Sequence, residues 1–252
     1  MVKANIRVTG FVLLFGAVLF VFAQHAKAQG SHPVGLELVL LVDTSASVDE
    51  GEFRLQTDGL AAAFLSQPVL SAIRSHGPRG IAVCVIQWSN HERQHKSIDW
   101  TLLSNEGDAV SLAERIASMK RAIQGGHTAI GDALIFAVKE IQSNRYQGLR
   151  RVIDVSGDGR LNDGRPLRGA RKEVLSHGIT INGLAIINEL PLLADYYGSQ
   201  LIGGDGAFVL VARDYTDIAR AMSIKLEREI RSMPVTKLFE PGKASVRVAG
   251  NG

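Results

Sequence analysis

Short apolar segments alternate with amphipathic segments along the chain from Gly35 onward. The apolar segments have the length of strands and are apolar at nearly every position, which is typical of parallel strands covered on both faces. The pattern predicts an α/β fold with a doubly wound, mostly parallel sheet, one antiparallel edge strand and helices on both faces. The predicted strands are 36–42, 80–88, 151–155, 179–187 and 207–211, with the more polar segment 96–101 at an edge.

Apolar residues at helical spacing predict two of the helices between these strands. One stripe contains Ile130, Leu134, Ala137 and Ile141, and the other contains Tyr215, Ile218, Ala219, Met222 and Leu226. A third helix is predicted to begin after Asp49, because Asp49 and Glu52 have the spacing of a capping box. The residues of this third helix that we expect to face the core are Phe53, Leu60 and Phe64.

The first 28 residues have the three parts of a secretory signal peptide. Lys3 and Arg7 precede the apolar stretch 8–23, and Ala26-Lys27-Ala28 resembles a cleavage site. We therefore expect an exported protein, periplasmic or secreted, whose mature chain begins at Gln29. An uncleaved membrane anchor is the alternative. At the other end, residues 231–252 lack any period and are predicted to form a poorly ordered tail.

Composition favours one globular domain, which we place at residues 35–230. The chain has 252 residues, of which 46% are hydrophobic and 21% are charged. Three of its 28 basic residues lie in the leader, which has no acid, and the others equal the 25 acidic residues in number. This balance argues against binding to nucleic acid. The single cysteine, Cys84, lies inside a predicted strand and offers no disulfide.

Polar residues at the ends of two predicted strands indicate a cation site. Asp43, Ser45 and Ser47 directly follow the first strand, and Asp158 follows the strand 151–155 within Ser156-Gly157-Asp158-Gly159. The carboxyl ends of parallel strands meet at one edge of a sheet, where ligands bind. Thr128 precedes a predicted helix in a loop with two glycines, so it can reach the same edge. Carboxylate and hydroxyl oxygens are ligands that hard divalent cations prefer.

Each of these residues also has an ordinary structural interpretation. Ser and Asp after a strand commonly cap helices, Thr128 has the position of an N-cap, and Asp158-Gly159 is a common turn pair. These interpretations leave unexplained why two hydroxyls alternate beside a carboxylate at the end of a fully apolar strand.

In this arrangement the chain resembles the von Willebrand factor type A (vWA) family, and in particular an exported bacterial subfamily of unknown function. The resemblance implies a metal-ion-dependent adhesion site (MIDAS) that binds Mg²⁺, Mn²⁺ or Ca²⁺. Its hydroxyl ligands would be Ser45, Ser47 and Thr128, and Asp43 and Asp158 would bind directly or through water. A protein partner, rather than nucleic acid, would supply an Asp or Glu carboxylate to the cation. The domain would not be an enzyme. Gly157 departs from the family pattern, in which Asp directly follows Ser or Thr.

An enzymatic hypothesis comes from His91-Glu92-Arg93-Gln94-His95, which matches the zinc peptidase pattern H-E-x-x-H. That mechanism needs both histidines on one face of a helix, with the Glu as general base. The motif instead joins two predicted strands, which favours a solvated hairpin. Two further hypotheses are a metallohydrolase that uses the Asp43 site and a non-catalytic scaffold.

Overall fold

A computed structural model describes residues 31–231. It contains a six-stranded sheet in the order β4-β3-β2-β6-β7-β8, in which only the β3–β4 pair is antiparallel. The predicted fold class is therefore confirmed. The signal peptide predicted at 1–28 lies outside the described residues, as does the predicted tail beyond Arg231. None of the helices in the described range has both the length and the apolar character that crossing a membrane requires.

The predicted strands all occur in the sheet, with boundaries that differ by a few residues. The long strands of the sheet are β2 (Leu36–Asp43), β3 (Ile81–Trp88), β4 (Gln94–Leu103), β6 (Arg151–Gly157), β7 (Thr180–Ile186) and β8 (Val209–Ala212). Two short strands, β1 (His32–Val34) and β5 (Tyr146–Gly148), form a separate small sheet that the apolar pattern did not predict.

Helices connect the strands on both faces of the sheet. They are α1 (Glu50–Leu65), α2 (Gln67–Arg74), α3 (Glu106–Ala117), α4 (Ile130–Ser143), α5 (Leu167–Ser176), α6 (Leu193–Tyr196) and α7 (Ile218–Arg231). A π-helical turn, Tyr197–Leu201, continues α6, and 3₁₀ turns at Gly77–Arg79 and Tyr215–Asp217 precede β3 and α7. Asp49 and Glu52 form the predicted capping box of α1.

Alternation along each strand divides the core between the two faces of the sheet. On one face, Leu38, Leu40 and Val42 of β2 pack in a cluster with residues of α1, α2, α3 and α7. On the other face, Val39 and Leu41 pack in a cluster with residues of α4, α5 and the π-helical turn. By the same alternation, Asp43 belongs to the face of Val39 and Leu41.

One residue of the predicted helical stripes is wrongly placed. Ala219 is exposed, whereas Ala221 faces the core together with Ile218 and Met222. The helix begins at Ile218, after a 3₁₀ turn that contains Tyr215. The buried face of the helix consists of Ile218, Ala221, Met222, Lys225, Leu226, Glu229 and Ile230, and Ala219 lies beyond its edge.

Candidate metal centre

The carboxyl ends of β2 and β6 bring Asp43 and Asp158 to the same edge of the sheet. The two strands are parallel neighbours, with Val42 opposite Ser156 in their register. Asp43 is the last residue of β2, and Asp158 follows the last residue of β6. Both residues are buried, and the charge of Asp158 acts on Asp43. Neighbouring strands lie about 4.8 Å apart, so the two carboxylates face a common space.

Hydrogen bonds join the loop after β2 to Asp158. The backbone N–H of Ser45 donates to Asp43 Oδ1 at 2.8 Å. The Ser45 and Ser47 hydroxyls lie 3.1 Å apart, and the Ser47 hydroxyl donates to Asp158 Oδ1 at 2.7 Å. The other oxygen of this carboxylate, Oδ2, accepts from the Tyr215 hydroxyl at 2.9 Å. Four of the five predicted site residues are thus connected in one short chain of contacts.

Thr128 reaches the same region through its loop. The carbonyl of Gly126 accepts from the N–H of Ala46, in the loop after β2, at 2.8 Å. Gly126 has a φ of +106°, a conformation that favours glycine. A methyl group placed on Gly159 would lie 3.3 Å from Thr128 Oγ1, so this hydroxyl is next to the residue that follows Asp158. The structure therefore places all five predicted residues (Asp43, Ser45, Ser47, Thr128 and Asp158, here called the cation site) at one edge.

The Thr128 backbone is fixed by Asn162. The Thr128 N–H donates to Asn162 Oδ1 at 2.7 Å, and the Asn162 N–H donates to the Thr128 carbonyl at 3.1 Å. Two hydrogen bonds between the same two residues leave little freedom to the loop. Thr128 is consequently held in place by backbone contacts, while its hydroxyl takes no part in them.

Asp43 is the electrostatically unusual residue of the cation site. Burial, and then the charge of Asp158, raises the pKa of Asp43 to about 7. Its Oδ2 atom is buried and has no hydrogen-bond partner among the described residues. The cationic side chain that acts on it, Arg121, donates to the carbonyls of Thr44 and Ser45 instead. Ser45 and the charge of Arg121 therefore offset only part of the cost of ionising the buried Asp43.

Helix capping does not account for these residues. Helix α1 is capped by Asp49, six residues after Asp43. The N-cap of α4 is Ala129, which makes no side-chain capping bond, so Thr128 is not its cap. The Asp158 carboxylate bonds to Ser47 and Tyr215, which are distant in sequence, rather than within a local turn. Asp43 and Thr128 therefore cap no helix in the described residues, whereas the bond from the Ser45 N–H to Asp43 is a local turn contact.

The donor set fits a hard divalent cation. It combines two carboxylates with three hydroxyls, and one carboxylate oxygen is buried and unpartnered in the described range. Residues 31–231 contain no group of three or more His, Cys, Asp and Glu side chains suited to a metal. A cation here would consequently depend on the hydroxyls to complete its ligands.

The H-E-x-x-H motif does not form a zinc-binding helix. His91 and Glu92 lie in the turn between β3 and β4, and His95 lies on β4. His91 Nδ1 lies 2.9 Å from Asp163 Oδ2, and this carboxylate raises the pKa of the exposed imidazole. Two residues separated by four positions share a face in a helix but not across a turn and a strand. The geometry that a zinc peptidase requires is absent from this motif.

Several residues around the cation site had no signal in the sequence. Tyr215 was predicted only as a core residue of the last helix, and Asn162 and Arg121 were not predicted to contribute. Each contacts the site region from a different segment. Asn162 lies 34 residues from Thr128, Tyr215 lies 57 residues from Asp158, and Arg121 lies 77 residues from Thr44. Contacts of this kind depend on the folded loops and leave no local pattern.

A family model described as "Protein of unknown function (DUF1194)" matches residues 33–234. No curated protein matches the chain. Among solved structures, the chain is similar to proximal thread matrix protein 1 from the mussel byssus, with a zinc-occupied MIDAS motif: the TM-score is 0.53 and the identity 16%, over 77% of this chain and 48% of that one.

Two bacterial structures are similar to the same extent. For von Willebrand factor type A from Catenulispora acidiphila, the TM-score is 0.53 and the identity 15%, over 79% of this chain and 43% of that chain. For the vWF domain of the pilus tip protein Mfa5 from Porphyromonas gingivalis, the TM-score is 0.55 and the identity 11%, over 81% of this chain and 99% of that chain. The chain spans less than half the length of the mussel and Catenulispora proteins. These similarities show the vWA fold.

Proposed function

We propose that this chain, which belongs to the DUF1194 family and has the vWA fold, binds a divalent cation at the cation site and, through it, a protein partner. The observation that carries the proposal is the buried Asp43 carboxylate, whose Oδ2 lacks a hydrogen-bond partner in residues 31–231. The Ser45 side chain interacts with this carboxylate. A bound cation would compensate the charge of such a group.

The hydroxyls of Ser45, Ser47 and Thr128 would hold the cation together with the carboxylates of Asp43 and Asp158. When bound, Mg²⁺ or Mn²⁺ would take about six oxygen ligands, so the five side chains leave a coordination position open to a further oxygen ligand. A carboxylate from an Asp or Glu of the partner would fill that position. The loops around the site would supply the specificity for that partner.

The proposal includes the location of the protein. The domain would occupy residues 35–230, after removal of the signal peptide 1–28 and before the tail 231–252. Binding would then take place outside the cytoplasm, in the periplasm or after secretion. Mass spectrometry of the exported protein tests this part, because a mature chain that begins at Gln29 is expected. A full-length product embedded in the membrane would contradict it.

Calorimetric titration with Mg²⁺ and Mn²⁺ tests the metal half of the proposal. Ser45→Ala and Thr128→Val each remove one neutral oxygen and should weaken binding by about tenfold, since an oxygen ligand is lost without a change of charge. Thr57→Val is the matched control, because the buried Thr57 hydroxyl donates to the Arg54 carbonyl within α1 and, among the described residues, to no group of the cation site. Equal affinities in all four proteins would contradict the site.

Capture of partners tests the functional half. The mature domain is immobilised and exposed to envelope proteins of the source cell with Mg²⁺, and then with EDTA. We expect a set of proteins that is lost with EDTA, weakened by Ser45→Ala and Thr128→Val, and retained by Thr57→Val. A set retained under all conditions would show that binding uses another surface, even if the cation is present.

A further inference from the structure

Tyr197 has a buried hydroxyl that nothing in the described residues satisfies. The side chain is fully buried, and its OH has no hydrogen-bond partner within residues 31–231. Such a group costs free energy, because its hydrogen bonds to water are lost on folding and not replaced. An unsatisfied buried hydroxyl in a folded domain therefore requires an explanation.

The ring of Tyr197 crosses the sheet toward the cation site. Tyr197 begins the π-helical turn and packs on the face of Val39, Leu41 and Val155. A methyl group on Gly183 of β7 would lie 2.8 Å from Tyr197 Cδ2, so the ring lies directly over this glycine. Strand β6 lies between β7 and β2, and Asp43 ends β2. The ring thus begins over β7 and points its hydroxyl across β6 toward Asp43.

Gly157, at the end of β6, marks where the two unsatisfied groups approach each other. A methyl group on Gly157 would lie 2.7 Å from Asp43 Oδ2 and 2.9 Å from Tyr197 OH. Both atoms are buried and without partners in the described part of the chain. One is an acceptor when ionised, and the other can donate. Any side chain at position 157 would separate them, which gives a physical reason for the glycine between Ser156 and Asp158.

We propose that Tyr197 is a positioning residue of the cation site, whose hydroxyl donates to Asp43 Oδ2 when the cation is bound. The inference rests on the proposed function, because it gives Tyr197 a role only if Asp43 holds a cation. Asp43 Oδ1 is already fixed by the Ser45 N–H, and a donor on Oδ2 would fix the orientation of the whole carboxylate. Tyr197 touches neither the cation nor the partner.

Tyr197→Phe tests this role, because it removes the hydroxyl and keeps the ring. We expect Mn²⁺ affinity, measured by calorimetry, to fall about tenfold, which is typical when a group that orients a ligand is removed. Thermal unfolding in EDTA should occur at the same or a higher temperature, since an unsatisfied buried hydroxyl is deleted. Tyr196→Phe is the matched control: its hydroxyl accepts from the Leu161 N–H at 3.3 Å, and its removal should leave Mn²⁺ affinity unchanged.

Gly157→Ala tests the proposed Tyr197–Asp43 hydrogen bond independently, because its methyl group would lie next to both Asp43 Oδ2 and the Tyr197 hydroxyl. The added methyl group should weaken Mn²⁺ binding in the wild-type background by pushing Asp43 and Tyr197 apart. It should weaken binding less in the Tyr197→Phe background, because the hydrogen bond is already lost there. Non-additivity of this kind is expected for residues that share one interaction.

The outcomes separate the inference from the proposed function. If the wild-type protein binds Mn²⁺ and Tyr197→Phe binds it equally well, the role of Tyr197 is wrong and the cation site stands. If Tyr197→Phe lowers both the affinity and the unfolding temperature in EDTA, Tyr197 serves core packing and the role is again wrong. If the wild-type protein binds no cation, the proposed function fails and the role of Tyr197 fails with it.

Discussion

Asp43 and Asp154 are two buried carboxylates on neighbouring strands of one sheet, and they are compensated differently. Asp43 ends β2, and Asp154 lies in the middle of β6. Burial is the largest cause that raises the pKa of each to about 7. Asp154 lies within 2.5 Å of the ammonium group of the buried Lys225. Asp43 forms no ion pair with any Lys, Arg or His of the described residues.

The fold itself places a cation beside Asp154, although both carboxylate oxygens of Asp154 lack a hydrogen-bond partner among the described residues. Lys225 Nζ also lies 2.5 Å from Glu229 Oε1, one helical turn later in α7. The Glu229 carboxylate accepts from the Asn182 side chain at 2.9 Å. These contacts attach α7 to β6 and β7 on the face of the sheet opposite the one to which Asp43 belongs. Here the chain supplies its own cation to a buried acid.

The difference indicates which of the two acids awaits a ligand. A carboxylate that the fold already neutralises has a structural role, because removing its partner would leave a buried charge. A carboxylate that is equally buried but lacks a cation binds a proton or an external ion. The comparison therefore supports a structural role for Asp154 and the proposed cation-binding role for Asp43, although both follow apolar residues in their strands.

The largest effect on stability is expected from Lys225→Met, which removes the cation that pairs with Asp154 and Glu229. Asp154 and Glu229 would remain buried together without compensation, and the free energy of unfolding should fall by about 3–5 kcal/mol. Urea denaturation measures this change. Lys172→Met, at a position on the outer part of α5, is the control and should change stability by about 0.5 kcal/mol or less. A loss below about 1 kcal/mol for Lys225→Met would contradict the structural role of the Lys225 ion pair with Asp154.

Asp43→Asn should have the opposite effect on stability. The amide keeps an acceptor for the Ser45 N–H and removes a buried charge, so at pH 8 in EDTA the free energy of unfolding should rise by about 2 kcal/mol. Mg²⁺ or Mn²⁺ should no longer raise the unfolding temperature, as it should in the wild-type protein. Destabilisation of the variant in EDTA would show that the Asp43 charge is compensated within the fold.

Stability should depend on pH through Asp43. The folded-state pKa of about 7 lies above the ordinary value of 3.8, so the folded chain holds a proton that the unfolded chain releases. In EDTA, the free energy of unfolding should therefore fall as pH rises from about 4 to 7, with a slope of at most about 1.4 kcal/mol per pH unit from this group. Asp154 contributes in the same range, so the test is the difference between wild type and Asp43→Asn.

Cation affinity should show the reverse dependence on pH. Protons compete with the cation for Asp43, so affinity for Mn²⁺ should increase up to about pH 7 and then level off. Calorimetric titrations at several pH values measure it. Affinity that is constant from about pH 5 to 8 would mean that Asp43 is ionised throughout or does not contact the cation.

The smallest effect is expected from His91→Ala combined with His95→Ala. The two histidines lie in the turn after β3 and on β4 rather than on one helix face. The isotherm for Mg²⁺ or Mn²⁺ should be unchanged in the double variant. Loss of binding would move the cation from the Asp43 edge to the hairpin and remove the basis of the comparison.

The apolar pattern of the sequence was sufficient to predict the strands, the parallel sheet and the edge at which the five predicted residues meet. Apolar runs of strand length can only be buried in a sheet covered on both faces, and the order of strands and helices then leads their carboxyl ends to one edge. Asp43, Ser45 and Ser47 were predictable because they follow a strand directly. Local spacing also determined the capping box of Asp49 and Glu52.

The compensation of each buried acid, by contrast, depends on contacts between distant elements that exist only in the folded chain. Nothing near Asp154 in the sequence indicates Lys225, which lies 71 positions later and reaches it because α7 packs on that face of the sheet. Tyr215 and Tyr197 approach the cation site in the same way, from loops and turns that follow other strands. Such contacts depend on side-chain packing between distant elements. Periodicity along the chain predicts which face of an element a residue occupies, but it does not predict which residue packs against it.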